Sequence, residues 1–134
     1  MRAGSNAGFE IQGVHHWSVN VTDLGRADAF YTEVLGLKKI PRPDLLVDGV
    51  WYELPDGRQV HLIVRPEAGS LRGTTRIDSR EAHLALAVRD WEGAVEAIRA
   101  KGIEIDARVT TRTGWKQAYI TDPDGNVIEL TGVE

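Results

Sequence analysis

Apolar and polar residues alternate along residues 14–21: Val14, His16, Ser18 and Asn20 fall on one face, and His15, Trp17, Val19 and Val21 on the other. That period of two predicts a half-buried strand. Asp23 then stands where a helix N-cap belongs, and Leu24, Ala27, Phe30, Tyr31, Val34 and Leu35 follow at helical spacing. Gly36 is placed to end that helix. A short strand over 37–40 and a Pro-bearing loop come next. Segments 50–54 and 59–65 then read as a hairpin around Leu54-Pro55-Asp56-Gly57.

The pattern then starts again. Residues 82–88 predict a strand and Asp90 a cap, with Trp91, Ala94, Val95 and Ile98 forming the helix stripe and Gly102 the stop. A short strand over 103–106 follows. A closing hairpin of 115–121 and 127–131 surrounds Asp122-Pro123-Asp124-Gly125. Each half is thus β-α-β-β-β. A four-stranded sheet covered by one helix leaves its other face bare, and two copies can share that face. The expected organisation is a tail over residues 1–9 and one domain over 10–134. Module one spans about 11–65, a polar linker about 66–80, and module two about 81–132.

Alternation also sorts the side chains with chemistry. His16 and His83 stand 67 residues apart, and His61 and Glu129 stand 68 apart. Leu84, Leu86 and Val88 make the helix-packing face of their strand, which leaves His83 opposite, beside the small Ala85 and Ala87. Val60, Leu62 and Val64 oppose Gln59, His61 and Ile63; Ile128 and Leu130 oppose Val127, Glu129 and Thr131. His16, His61, His83 and Glu129 therefore all lie away from the helices. His15 shares its face with apolar residues and reads as structural. Three imidazoles and a carboxylate suit one divalent ion such as Zn, Ni, Fe, Co or Mn, and argue against Ca. Trp51 and Tyr119 are 68 residues apart on the strands before the two turns and, with Gln117, are the candidate substrate-pocket residues. Lys116, Arg112 and Arg65 read as solvated surface residues, and Trp91 and Phe30 as core.

Composition narrows the partners. A net charge of −4 with scattered basic residues gives no support for nucleic acid. No apolar run approaches a membrane span, and residues 1–8 carry no apolar stretch like that of a signal peptide. The absence of cysteine excludes disulfides, thiolate metal sites and cysteine nucleophiles, and fits a cytoplasmic protein.

Three stretches together resemble the vicinal oxygen chelate superfamily: residues 16–24 with Phe30-Tyr31 and Val34-Leu35-Gly36-Leu37; residues 83–90; and residues 122–130. The superfamily includes glyoxalase I, fosfomycin-resistance thiol transferases, extradiol dioxygenases, methylmalonyl-CoA epimerase and bleomycin-binding proteins. The resemblance implies an α+β fold: two βαβββ modules forming a U-shaped, mostly antiparallel sheet around a pocket, with helices outside. It implies that His16, His83 and Glu129 bind the metal. Position 61, a glutamate ligand in glyoxalase I, is His61 here, and it remains open as a ligand, a substrate contact or a pocket wall. A homodimer with metal sites shared between chains is also implied. The family chemistry is chelation of adjacent substrate oxygens, with Glu129 the candidate base in an isomerase or lyase reaction. The alternatives are an extradiol-type dioxygenase and a non-catalytic small-molecule binder of the bleomycin-resistance type. Residues 111–116 do not look like the potassium loop of the fosfomycin enzymes.

Overall fold

In a computed structural model, residues 7–67 and 72–133 are described. The first part of the expected tail (1–6) and part of the linker (68–71) lie outside them. The strands are β1 (His16–Val21), β2 (Lys38–Ile40), β3 (Gly49–Glu53), β4 (Gln59–Val64), β5 (His83–Val88), β6 (Asp106–Val109), β7 (Lys116–Thr121) and β8 (Val127–Gly132). Helix α1 (Leu24–Ala29) runs into a π-helical turn (Phe30–Val34), and α2 is Trp91–Ala100. The two modules have the same topology. The sheet orders are β1-β4-β3-β2 and β5-β8-β7-β6, with one parallel and two antiparallel pairings in each. The sheets remain two separate four-stranded units. Among the described residues, no helix is long and apolar enough to cross a membrane.

The caps and turns are local consequences of sequence. The Asp23 carboxylate accepts the Arg26 N–H at 2.9 Å, and that of Asp90 accepts the Gly93 N–H at 3.2 Å. Gly57 and Gly125 donate back to the carbonyls of Leu54 and Asp122, closing both hairpin turns. Two expectations need correction. The first helix widens at Phe30, where the Leu35 N–H reaches the Phe30 carbonyl, and this wide turn buries the adjacent Phe30 and Tyr31 together. The strand expected at 103–106 begins only at Asp106, opposite Tyr119, because Ile103 and Ile105 pack against the core instead.

One hydrophobic cluster contains the helix-facing side chains of both modules: Val19, Val21, Tyr31, Tyr52, Val60 and Leu62 with Trp91, Val95, Ile98, Ile120, Ile128 and Leu130. Beside it, the Asp122-to-Asn126 turn fastens module two to module one. The Asp122 carboxylate is 2% exposed and takes four donors. Its Oδ1 accepts the backbone N–H groups of Asp124 (3.0 Å) and Asn126 (2.9 Å). Its Oδ2 accepts the Tyr31 hydroxyl and the Asn126 side-chain amide, both at 2.8 Å. Burial pushes the Asp122 carboxyl above its usual range, partly offset by the Asn126 and Tyr31 bonds. Asp124 accepts the Thr22 hydroxyl (2.7 Å) and N–H (3.1 Å), and the Asn126 amide donates to the Asn20 carbonyl (2.9 Å).

The twin turn at Pro55-Asp56-Gly57 carries no such load, since the Asp56 carboxylate is exposed and accepts only the local Arg58 N–H and guanidinium. Asp122→Ala is therefore expected to cost about 2–4 kcal/mol in denaturant unfolding, because it orphans buried donors. Asp56→Ala should stay within roughly 0.5 kcal/mol of the parent. Equal effects would contradict this asymmetry.

Candidate metal centre

Strand pairing places the candidate side chains in two groups, one per module. In module one, Trp51 and His61 are partners across β3 and β4, and Ser18 lies beside His61 on β1. The His61 ring is sandwiched. Trp51 stacks on one side, with centroids 4.3 Å apart and 9° between planes, and His16 on the other, at 4.2 Å and 16°. Nε2 of His61 meets the Gln59 side-chain oxygen at 2.8 Å. His15 is exposed at the start of β1, its ring edge-on to His16, with their Nδ1 atoms 2.9 Å apart. It does not join the helix-packing side.

In module two, Tyr119 and Glu129 are the equivalent partners across β7 and β8, and Ala85 lies beside Glu129 on β5. The small Ala85 leaves the Glu129 carboxylate open to His83, whose Nε2 is 2.9 Å from Oε1. The other carboxylate oxygen, Oε2, accepts the Thr131 hydroxyl (2.6 Å) and the Gln117 amide (3.1 Å). Gln117 also donates to the Tyr119 hydroxyl at 3.0 Å, and the Arg108 guanidinium lies 5.4 Å from the Tyr119 ring centre. Burial and the Glu129 charge push the Tyr119 phenol up. Burial works to raise the Glu129 carboxyl, but its bonds to Thr131, Gln117 and His83 win and hold it below the usual range.

The donor chemistry fits a divalent ion in each half. His83 Nδ1 lies 2.6 Å from the Glu81 carbonyl, an outer contact that fixes the ring and its tautomer. Its Nε2 then faces Glu129 Oε1. Both neighbours are acceptors, so the pair is complete only with a second proton on the ring or with a cation in its place. Two donors on one zinc ion sit roughly 3 Å apart, which matches the His83–Glu129 spacing. The structure brings His16 to His61 and His83 to Glu129. Among the described residues, no three His, Cys, Asp or Glu side chains of a single chain gather around one metal position.

Gln59 and Thr131 were legible as same-face neighbours two residues from His61 and Glu129, yet their role as hydrogen-bond partners was not. Lys116 pairs with Glu92 (2.6 Å) and Arg65 with Glu67 (3.4 Å), while Arg112 is exposed, so all three stand at the surface as expected. Trp91 and Phe30 are buried.

Comparisons with known proteins agree with this architecture. The model of the Glyoxalase/Bleomycin resistance protein/Dioxygenase superfamily matches residues 13–130. Glyoxylase I 4 of Arabidopsis thaliana is 26% identical over 97% of this chain and 76% of its own length. The uncharacterised protein YwkD of Bacillus subtilis is 28% identical over 90% of this chain and 96% of its own. The crystal structure of a glyoxalase/dioxygenase from Nostoc punctiforme is 27% identical, with a TM-score of 0.78 over 100% of this chain and 96% of that one.

The histidine sandwich has a consequence for pH. Burial first, then the charges of His16, His15 and Arg42, lower the His61 imidazole to about 4. An unfolded histidine titrates near 6.5, so between these values the unfolded chain binds a proton that the folded one lacks. Stability from this source is full above pH ~6.5 and is lost as pH falls toward 4. Metal-free protein should lose on the order of 2 kcal/mol more than His61→Phe between pH 7 and 4.5 in urea unfolding. Parallel pH profiles for the two would refute the assignment.

Proposed function

The chain belongs to the Glyoxalase/Bleomycin resistance protein/Dioxygenase superfamily, and from that membership we propose a divalent-metal-dependent enzyme whose small substrate offers adjacent oxygens to the metal. One observation carries the proposal. Each module assembles half of an N3O ligand set on its helix-free face, His16 with His61 and His83 with Glu129. Two halves that stay apart in one chain favour a homodimer in which module one of one copy faces module two of the other. The name of the Arabidopsis relative supports isomerase or lyase chemistry.

A bound divalent metal would supply Lewis acidity toward the two substrate oxygens. The chain supplies the rest. Glu81 orients His83, and Thr131 and Gln117 aim the Glu129 carboxylate. Glu129 is the proposed proton acceptor, and its basicity rises as these donors release it. Trp51, Gln117 and Tyr119 flank the two halves and are the proposed substrate walls. A second reading, extradiol-type oxygen chemistry, draws on the contact between His61 Nε2 and Gln59. It leaves His16, His83 and Glu129 as a two-histidine, one-carboxylate set with open positions.

Protein purified without added metal should carry about one divalent ion per chain by elemental analysis, and Glu129→Ala should lose nearly all of it. Absence of metal from the wild type would point to a sequestering protein instead. Hemithioacetal turnover without O2 uptake would support the isomerase reading, and the reverse result the dioxygenase. Refolding a mixture of His16→Ala and Glu129→Ala chains tests sharing, because half the sites of a mixed dimer would then be intact. Recovery of metal supports a shared centre, and no recovery places it within one chain.

A further inference from the structure

Arg42 lies in the loop between β2 and β3, a Pro-flanked segment whose sequence pattern assigned it no role. Its Nη2 donates to the Val47 carbonyl at 2.8 Å, while its Nε is buried with no hydrogen-bond partner among the described residues. No carboxylate among those residues pairs with it. An unpaired buried donor on a cation is costly, and in a native fold it calls for a partner. The guanidinium lies against Gly49. A side chain there would strike the Leu62 carbonyl and crowd Arg42 Nη2 and Cζ at 3.0 and 3.1 Å. Gly49 is two residues before Trp51, so alternation puts the guanidinium on the face that carries Trp51 and His61. Its charge reaches the His61 ring.

A fixed cation beside a half-site that holds a metal ion is repulsive unless negative charge comes between them. The planar guanidinium edge, with one donor idle, suits a carboxylate best. We propose that Arg42 is the specificity-determining residue of the metal centre, and that the substrate carries a carboxylate beyond the adjacent oxygens that bind the metal. This inference rests on the function proposed above.

Two probes separate the parts: acetohydroxamate, which chelates through adjacent oxygens alone, and succinomonohydroxamate, which adds a carboxylate to the same chelating group. Each would be titrated into the cobalt-loaded full-length protein, read by the cobalt absorption band and by tryptophan fluorescence. Wild type should favour the carboxylate-bearing probe by about tenfold or more. Arg42→Gln should abolish that preference, leave acetohydroxamate affinity unchanged and not lower the melting temperature, since it removes an orphan donor. Arg42→Lys should keep part of the preference. A preference that persists in Arg42→Gln overturns the proposal, and so does a wild type that binds both probes equally. If neither probe alters the cobalt spectrum of wild type, the metal-chelation reading fails, and the carboxylate assignment fails with it.

Discussion

The Asp122 carboxylate is the point on which this architecture turns. It is almost fully buried, and its oxygens are occupied by two backbone N–H groups of its own turn, the Asn126 amide and the Tyr31 hydroxyl. The last of these comes from the other module. A buried carboxylate is tolerated only when so satisfied, and the geometry that satisfies it also sets Asp124 against Thr22 and Asn126 against Asn20. One hairpin turn thus determines how the second sheet stands against the first helix. The π-helical turn has its explanation here too, since it allows Tyr31 to reach Asp122 while Phe30 stays buried beside it.

With the helix-facing sides of both modules joined in one core, the opposite faces are left to chemistry. There the two modules solve the same positional problem differently. Trp51 with His61 and Tyr119 with Glu129 are equivalent cross-strand pairs. The first is a flat aromatic stack in which a neutral imidazole is favoured. The second is a hydrogen-bonded carboxylate held ionised by Thr131, Gln117 and His83. The pseudo-symmetric halves therefore differ in charge, and only the second presents a proton acceptor. The ligand set is divided between them, which is why metal binding and assembly are linked in the function proposed.

Much of this was written in the chain. The period-two strands, the Asp23 and Asp90 caps, the two Gly-closed turns and the repeat near 68 residues are short-range features, and local sterics and hydrogen bonding enforce them. Alternation alone placed His16, His61, His83 and Glu129 opposite the helices, because a strand side chain has only two faces. Other features waited for tertiary structure. Ile103 and Ile105 joined the core rather than a ladder, since burial outweighed extended pairing. The turn at Asp122 became a clasp while its twin at Asp56 stayed at the surface, although the two read alike. Arg42 came to lie over Gly49 from an irregular loop with no period. The sequence by itself determined which residues share a face. Only the fold decided which of those faces meet, because contacts between residues far apart in the chain depend on how two sheets pack, and no local pattern encodes that.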